Sequence, residues 1–259
     1  VFNHRDRKLR AVIHGDDFTL LGKEEDLNWF KLQINNKFEV KFKARLGPCP
    51  GDDKSVRILN RLVEWTEEGI TYEPDQRHAE IIIEQLKPFM SGRNLTVPSR
   101  RRTREELSKD DPLLIGSNAT LYRALVARGN YLAQDRTDIK FAVKELSKAM
   151  AKPKMSDWES LVNFARYLIG KEKYVQLFNY QAAMANSSLK FITIWSDTDY
   201  AGCPITRKST RGGVAMLGGQ LIKSWCSTQS ILALSSGEAE YYGVVKAAGI
   251  ALGQQSLMR

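Results

Sequence analysis

The spacing of hydrophobic positions changes several times along the chain, and each change marks an element. Residues 8–22, KLRAVIHGDDFTLLG, place apolar runs on either side of a Gly-Asp-Asp centre, the pattern of strand, turn, strand. From Glu24 to Phe38, the apolar residues Leu27, Phe30, Ile34 and Phe38 recur at helical spacing. RILNRLVEW followed by EEGITYEP predicts a second hairpin with Gly69 in its turn. His78 to Leu86, with Ile81, Ile82, Ile83 and Leu86, predicts a short helix.

The pattern then breaks. Residues 91–118 are polar, basic and punctuated by proline, as a linker or surface excursion would be. Three helices are expected next. Thr120 to Ala133 carries Leu121, Leu125 and Leu132, and Asp138 to Met150 stacks Ile139, Val143, Leu146 and Met150. Ser156 to Ile169 opens with a capping box, Ser156 and Glu159, and stops at Gly170. These stripes read as core. After Asn186 the period shortens, and LKFITIWSD, STRGGVAMLGG and LIKSWCS predict three strands with glycine-rich turns. A long helix follows from near Ser235, and no internal repeat is present.

Composition narrows the class. The 259 residues suffice for two domains, and 42% hydrophobic with 27% charged residues is ordinary for a globular chain. No apolar run approaches the roughly 18 residues of a membrane span, so a soluble chain is expected. Cys49, Cys203 and Cys226 are odd in number and far apart, with no CxxC pair, which fits a reducing intracellular compartment rather than a disulfide framework. The start, Val1-Phe2-Asn3-His4-Arg5, has neither an initiator methionine nor a signal-peptide pattern, which leads to the expectation of a fragment. The net charge of +9 points weakly to a polyanionic partner.

Candidate chemistry begins with Asp16 and Asp17, set between two apolar strands. Carboxylates about 5 Å apart repel by roughly 3 kcal/mol at an effective dielectric of 20, and a divalent cation removes that repulsion. Two-metal phosphoryl-transfer sites hold Mg²⁺ on such oxygen ligands. A polar turn is the other reading, and Gly51-Asp52-Asp53 repeats the tripeptide without flanking strands, as a surface loop.

The motifs add a resemblance. AVIHGDDFTLLG resembles the reverse-transcriptase palm hairpin, in which an aromatic and any residue precede Asp-Asp. ILNRLVEWTEEGITYEPDQRHAEIIIEQL, LYRALVARGNYLAQDRTDIKFAVKELSKAM and WSDTDYAGCPITRKSTRGGVAMLGGQLIKSWCSTQSILALSSGEAEYYG are similar to successive blocks of copia-type LTR retrotransposon Pol polyproteins, the last most specifically. The resemblance implies an α+β chain: the end of a reverse-transcriptase palm with thumb-like helices, then the first strands and helix of a ribonuclease H-like mixed sheet. The implied domains are 1–90 for the palm end, 91–118 for a basic linker, 119–180 for the helical thumb or connection, and 186–259 for a truncated ribonuclease H.

It implies, further, RNA-directed DNA polymerase and hybrid-specific ribonuclease activity with Mg²⁺ as cofactor. The implied partners are an RNA template, a DNA primer, the RNA–DNA hybrid and the rest of the Pol polyprotein. The implied location is intracellular, in a cytoplasmic particle or the nucleus. Asp16 and Asp17 match the palm carboxylates. Asp197 matches the first ribonuclease carboxylate, with Asp199, two residues on and on the same face, as the rival. Glu240 matches the helix carboxylate, whereas Glu238 has a sufficient structural role as N3 of a capping box whose N-cap is Ser235.

Two features depart from the family pattern. His14 stands where the palm motif has its aromatic residue, against the primer end. The family's upstream palm aspartate and its later ribonuclease aspartate lie outside this chain. The resemblance therefore implies a chain inactive alone; the alternative is a decayed element that binds nucleic acid without catalysis. Among the basic residues, Arg207, Lys208 and Arg211 are placed to touch a hybrid. Arg100, Arg101, Arg102 and Arg104 fit either template phosphates or a solvated linker face. Trp158, Trp195 and Trp225 read as core, with base stacking as the alternative, and the isolated His4, His14 and His78 predict no zinc site.

Overall fold

In the computed structural model, which describes residues 1–100, 106, 110–180 and 191–258, the chain is mixed α+β. Six α-helices and three antiparallel sheets stand among the described residues. The chain forms two compact units, Val1–Arg45 with Ser256–Arg259, and Leu46–Gln255. No helix among the described residues is long and apolar enough to cross a membrane.

The first unit holds the sheet β1 (Phe2–Asn3), β2 (Arg10–His14) and β3 (Asp17–Leu21), in that order, and helix α1 (Glu24–Asn35). Because His14 pairs with Asp17, the β2–β3 turn is the two residues Gly15-Asp16. Gly15 takes φ +57° at the first loop position, which tight hairpins give to glycine. Helix α1 stops short of Phe38, the last residue of its apolar series, which is exposed. Asp26 on α1 is buried and accepts Arg7 Nη1 at 2.9 Å, while that guanidinium lies 4.3 Å above the Trp29 ring.

The second unit contains the four-stranded sheet β4 (Ser55–Ile58), β5 (Arg61–Trp65), β6 (Gly69–Glu73) and β7 (Gln176–Asn179), in that order. RILNRLVEW is thus two strands, not one. Leu59 and Asn60 both take positive φ, 48° and 67°, and make a two-residue turn closed by Ile58 and Arg61. Only Asn60 is a residue that favours this conformation, so half of the turn is silent in the sequence. Gly69 likewise opens β6 rather than sitting inside a turn. A β-carbon there would fall 2.2 Å from Phe178 O, so its absence lets β7 approach. β7 comes from more than a hundred residues downstream, and no local pattern announces it.

Four helices, α2 (Arg77–Leu86), α3 (Gly116–Leu132), α4 (Lys140–Lys148) and α5 (Met155–Leu168), pack into the core of this unit. Leu125, Leu132, Ile139, Val143 and Leu146 are buried as their spacing predicts, with Leu121 and Met150 packed at the edge. Fully burying such a side chain is worth about 1.5–3 kcal/mol. The capping box at the start of α5 differs from expectation, because the N-cap is Lys154, two residues before Ser156. Lys154 N–H donates to Asp157 Oδ2 (3.0 Å), and Asp111 accepts both the N–H and the hydroxyl of Ser156 at 3.0 and 2.7 Å. Gly170, at φ +74°, ends the helix. From segment 91–118, Leu114 is buried in this core and Arg100 pairs with Glu106 at 2.7 Å; Arg101, Arg102 and Arg104 lie outside the described residues.

The chain closes with β8 (Ile192–Asp199), β9 (Thr210–Leu217) and β10 (Gln220–Thr228), ordered β10-β9-β8, and helix α6 (Ser236–Met258). Gly218 and Gly219, at φ +57° and +80°, turn β9 into β10. Ser196, Gly213 and Trp225 align across the strands in one row, and Asp197, Gly212 and Cys226 in the next, so these two rows face opposite ways. Helix α6 packs on the Ser196 face, where a β-carbon on Gly243 would lie 2.4 Å from Thr198 Oγ1. Helix α4 covers the other face near β10: Lys144 Nζ donates to Thr210 Oγ1 (2.8 Å), and just before α4 the Thr137 hydroxyl meets that of Ser224 (2.9 Å). The tryptophans divide. Trp158 is buried and Trp225 half-buried, but Trp195 is 66% exposed, because it lies on the edge strand β8, beyond the cover of α4.

Candidate functional site

The β2–β3 hairpin puts both of its aspartates in solvent. Asp16 is the second loop residue; Asp17 opens β3 opposite His14, and all three are exposed. Lys43 Nζ reaches Asp17 Oδ1 at 2.6 Å, which offsets part of the repulsion between the two carboxylates. An exposed pair of this kind is worth at most about 1 kcal/mol, so it does not bar a divalent cation. The second Gly-Asp-Asp is a hydrogen-bonded loop: Cys49 N–H donates to Asp52 Oδ2 (3.0 Å), and Lys54 Nζ donates to the carbonyls of Gly47, Pro48 and Cys49.

On β8 the two aspartates differ in what they do. Asp199 Oδ1 accepts the Thr210 N–H at 2.5 Å, tying the strand end to β9. Asp197 is exposed and has no hydrogen bond or ion pair among the described residues. The two glutamates of α6 divide in the same way. Glu238 accepts Leu234 N–H at 2.7 Å and the Tyr242 hydroxyl at 2.9 Å, and its own N–H donates to Ser235 Oγ at 3.1 Å. Ser235 therefore caps the helix, while the return bond from Glu238 goes to Leu234. Glu240 is half-buried beside the packed Ala239 and Gly243, and makes no hydrogen bond or ion pair among the described residues.

Strand alternation directs Asp197 away from the face on which α6 packs. Among the described residues, no three His, Cys, Asp or Glu side chains gather as a metal-binding set. The basic residues vary in availability. Arg207 is exposed, with φ +57°, and Lys208 is half-buried. Arg211 is engaged: Nη1 donates to Tyr242 O at 3.5 Å and Nε to Ser227 Oγ at 3.4 Å.

Two polar networks near these elements have no counterpart in the motif reading. Arg136 is almost wholly buried, chelates Asp138 and donates to Lys171 O at 2.6 Å, while the Tyr167 hydroxyl donates to Asp138 at 2.9 Å. Arg61 and the Tyr72 hydroxyl share Asp135, at 2.9 and 2.8 Å. The alternating charges of Asp135-Arg136-Thr137-Asp138, between two apolar helices, were the available signal. Both networks hold elements together and touch none of the candidate carboxylates.

Burial, reinforced by the hydrogen bond to Asp135, pushes the Tyr72 phenol up to about 12. A phenol raised above its unfolded value of about 10 contributes stability fully below pH 10 and loses it as pH rises through 12. Stability is therefore expected to fall between pH 10 and 12, and less steeply in Tyr72→Phe. Denaturant midpoints taken across that range test this, and identical slopes for the two proteins would remove Tyr72 as the titrating group.

This chain is related to retrotransposon Pol proteins. The retrovirus-related Pol polyproteins from transposons RE2 and RE1 of Arabidopsis thaliana are each 34% identical to it, over 126 and 129 residues. Those stretches are 48% and 49% of the chain but 8% of either polyprotein. The chain belongs to the family of the uncharacterized mitochondrial protein AtMg00810 of Arabidopsis thaliana, at 32% identity over 236 residues, which cover 89% of this chain and 88% of that protein. No family model and no solved structure matches it.

Proposed function

We propose that this chain carries the closing hairpin of a reverse-transcriptase palm, thumb-like helices and the opening part of a ribonuclease H. The parent polyprotein would copy RNA into DNA and cleave the RNA of the resulting hybrid. The observation that carries this reading is the run β8-β9-β10-α6, with Asp197 unengaged on its first strand and Glu240 unengaged on its helix. It coincides with the most specific block of resemblance. The palm-like hairpin, with Asp16 and Asp17 at its tip, is the second support.

The donor chemistry fits Mg²⁺: Asp16, Asp17, Asp197 and Glu240 all offer hard carboxylate oxygens. A bound ion would supply charge neutralisation at the attacking and leaving oxygens of phosphoryl transfer. Asp16 and Asp17 share the hairpin tip, whereas strand alternation turns Asp197 from the face on which α6 and its Glu240 pack, an arrangement that favours a chain inactive by itself. Trp195, exposed two residues before Asp197 on the same face, offers a stacking surface for a base, and Arg207 and Lys208 offer cations for phosphates. His14 in place of the palm aromatic favours a second reading, a remnant that binds nucleic acid without catalysis.

Hybrid binding measured with Mg²⁺ and with EDTA separates the two. Under the first reading Mg²⁺ strengthens binding to an RNA–DNA hybrid, and Asp197→Asn or Glu240→Gln abolishes the gain. Indifference to Mg²⁺ and to both substitutions would leave the remnant reading. Primer extension is expected at background; Mg²⁺-dependent extension by this chain would refute its inactivity alone.

A further inference from the structure

A cleft of about 370 Å³ opens between α3, α4 and the edge strand β10, within the range of small-molecule sites. We propose that it binds a small organic anion with one phosphate or carboxylate head and a compact apolar body. This does not depend on the retroelement reading.

The cleft wall is rich in donors and cations. Lys140 and Lys144, one helical turn apart on α4, both line it, and no carboxylate does so among the described lining residues. Lys140 Nζ is held by two uncharged carbonyls, Ala133 O at 2.5 Å and Gln134 O at 3.0 Å. Asp135, the carboxylate that acts on Lys140, is already shared by Arg61 and Tyr72. Glu145 pairs with Lys144 but is divided with Lys148 and does not line the cleft. Asn130 turns its carbonyl oxygen to Ser147 Oγ (3.1 Å), which leaves the amide –NH₂ as a donor.

An anion answers this surplus of positive charge: the two ammonium groups, with the Asn130 amide, would hold its head by charge-assisted hydrogen bonds. Val143 and Ala133 supply apolar wall for the rest of the ligand. The volume exceeds that of a bare oxyanion, so a compact hydrophobic group adds to binding.

The test uses the whole chain with phenyl phosphate, inorganic phosphate and neutral phenol as probes. Cys226 lines the cleft, so iodoacetamide labelling in a Cys49→Ser/Cys203→Ser background reads occupancy directly. Phenyl phosphate is expected to bind by calorimetry and to protect Cys226. Lys140→Met and Lys144→Met should each weaken it about tenfold, the loss of one charge-assisted bond. Lys144→Arg should retain most of the affinity. Should Lys140→Met fail to fold, the contrast between the two Lys144 variants decides. Equal affinity for phenol, unchanged affinity in Lys144→Met, or no protection of Cys226 would each overturn the proposal; the second would mean general binding to a basic surface.

Discussion

Arg136→Met is expected to destabilise the chain by about 3 kcal/mol, the lower end of what breaking a buried ion pair costs. The guanidinium is 1% exposed and makes three bonds: two to the Asp138 carboxylate and one to Lys171 O. Methionine fills much of the same volume but offers no donor. Asp138 would keep only the Tyr167 hydroxyl, and Lys171 O would lose its Arg136 bond. Asp138 is partly reached by water, which limits the penalty. The measurement is a urea midpoint together with a melting curve, where a loss of this size lowers Tm by about 6–12 °C for a unit of some 200 residues. Removing both charges in Arg136→Met/Asp138→Leu should recover part of the loss, since an apolar pair needs no desolvated partner. A melting shift of under about 2 °C in the single variant would show that the pair contributes little.

The adjacent glycines of β9 provide the second large effect, because only one of them is constrained. On Gly213 a β-carbon would lie 2.2 Å from Trp225 Cζ2 and 2.5 Å from Trp195 O, so both a ring and a backbone would have to move. On Gly212 the nearest atom is Trp225 O at 3.7 Å, ordinary contact. Gly213→Ala should therefore cost about 2–3 kcal/mol by overpacking, and Gly212→Ala should be close to neutral. Displacing the indole would also deform the row next to Asp197. Parallel denaturation of the two variants, with Trp fluorescence as a readout of the ring, is decisive. Equal stabilities would mean that β9 and β10 part more easily than their packing implies.

Elements carried by nearest-neighbour physics were legible in the sequence. The Gly-Asp-Asp hairpin, the helical stripes of α3 and α4, the Gly218-Gly219 turn and the Ser235 cap all depend on residues within a few positions of one another. Spacing alone exposes them. The candidate site was legible as a set of carboxylates, and their separate duties were partly so. Glu238 has its partners close by in sequence, whereas the Asp199 bond to Thr210 needed the register of β8 on β9.

What failed to show in the sequence shares one cause. Leu59 in a left-handed turn, Gly69 clearing a path for β7, Asp111 capping α5 and Trp195 left exposed all depend on atoms distant in the chain, or on cover that does not arrive. The sequence by itself determined the periods, the turns that glycine and asparagine mark, and the types of side chain available for chemistry. Only the tertiary structure decided which of two adjacent glycines is indispensable, which charged residue is buried, and which carboxylates stay unengaged. Those outcomes rest on packing between segments that local preference cannot bring together.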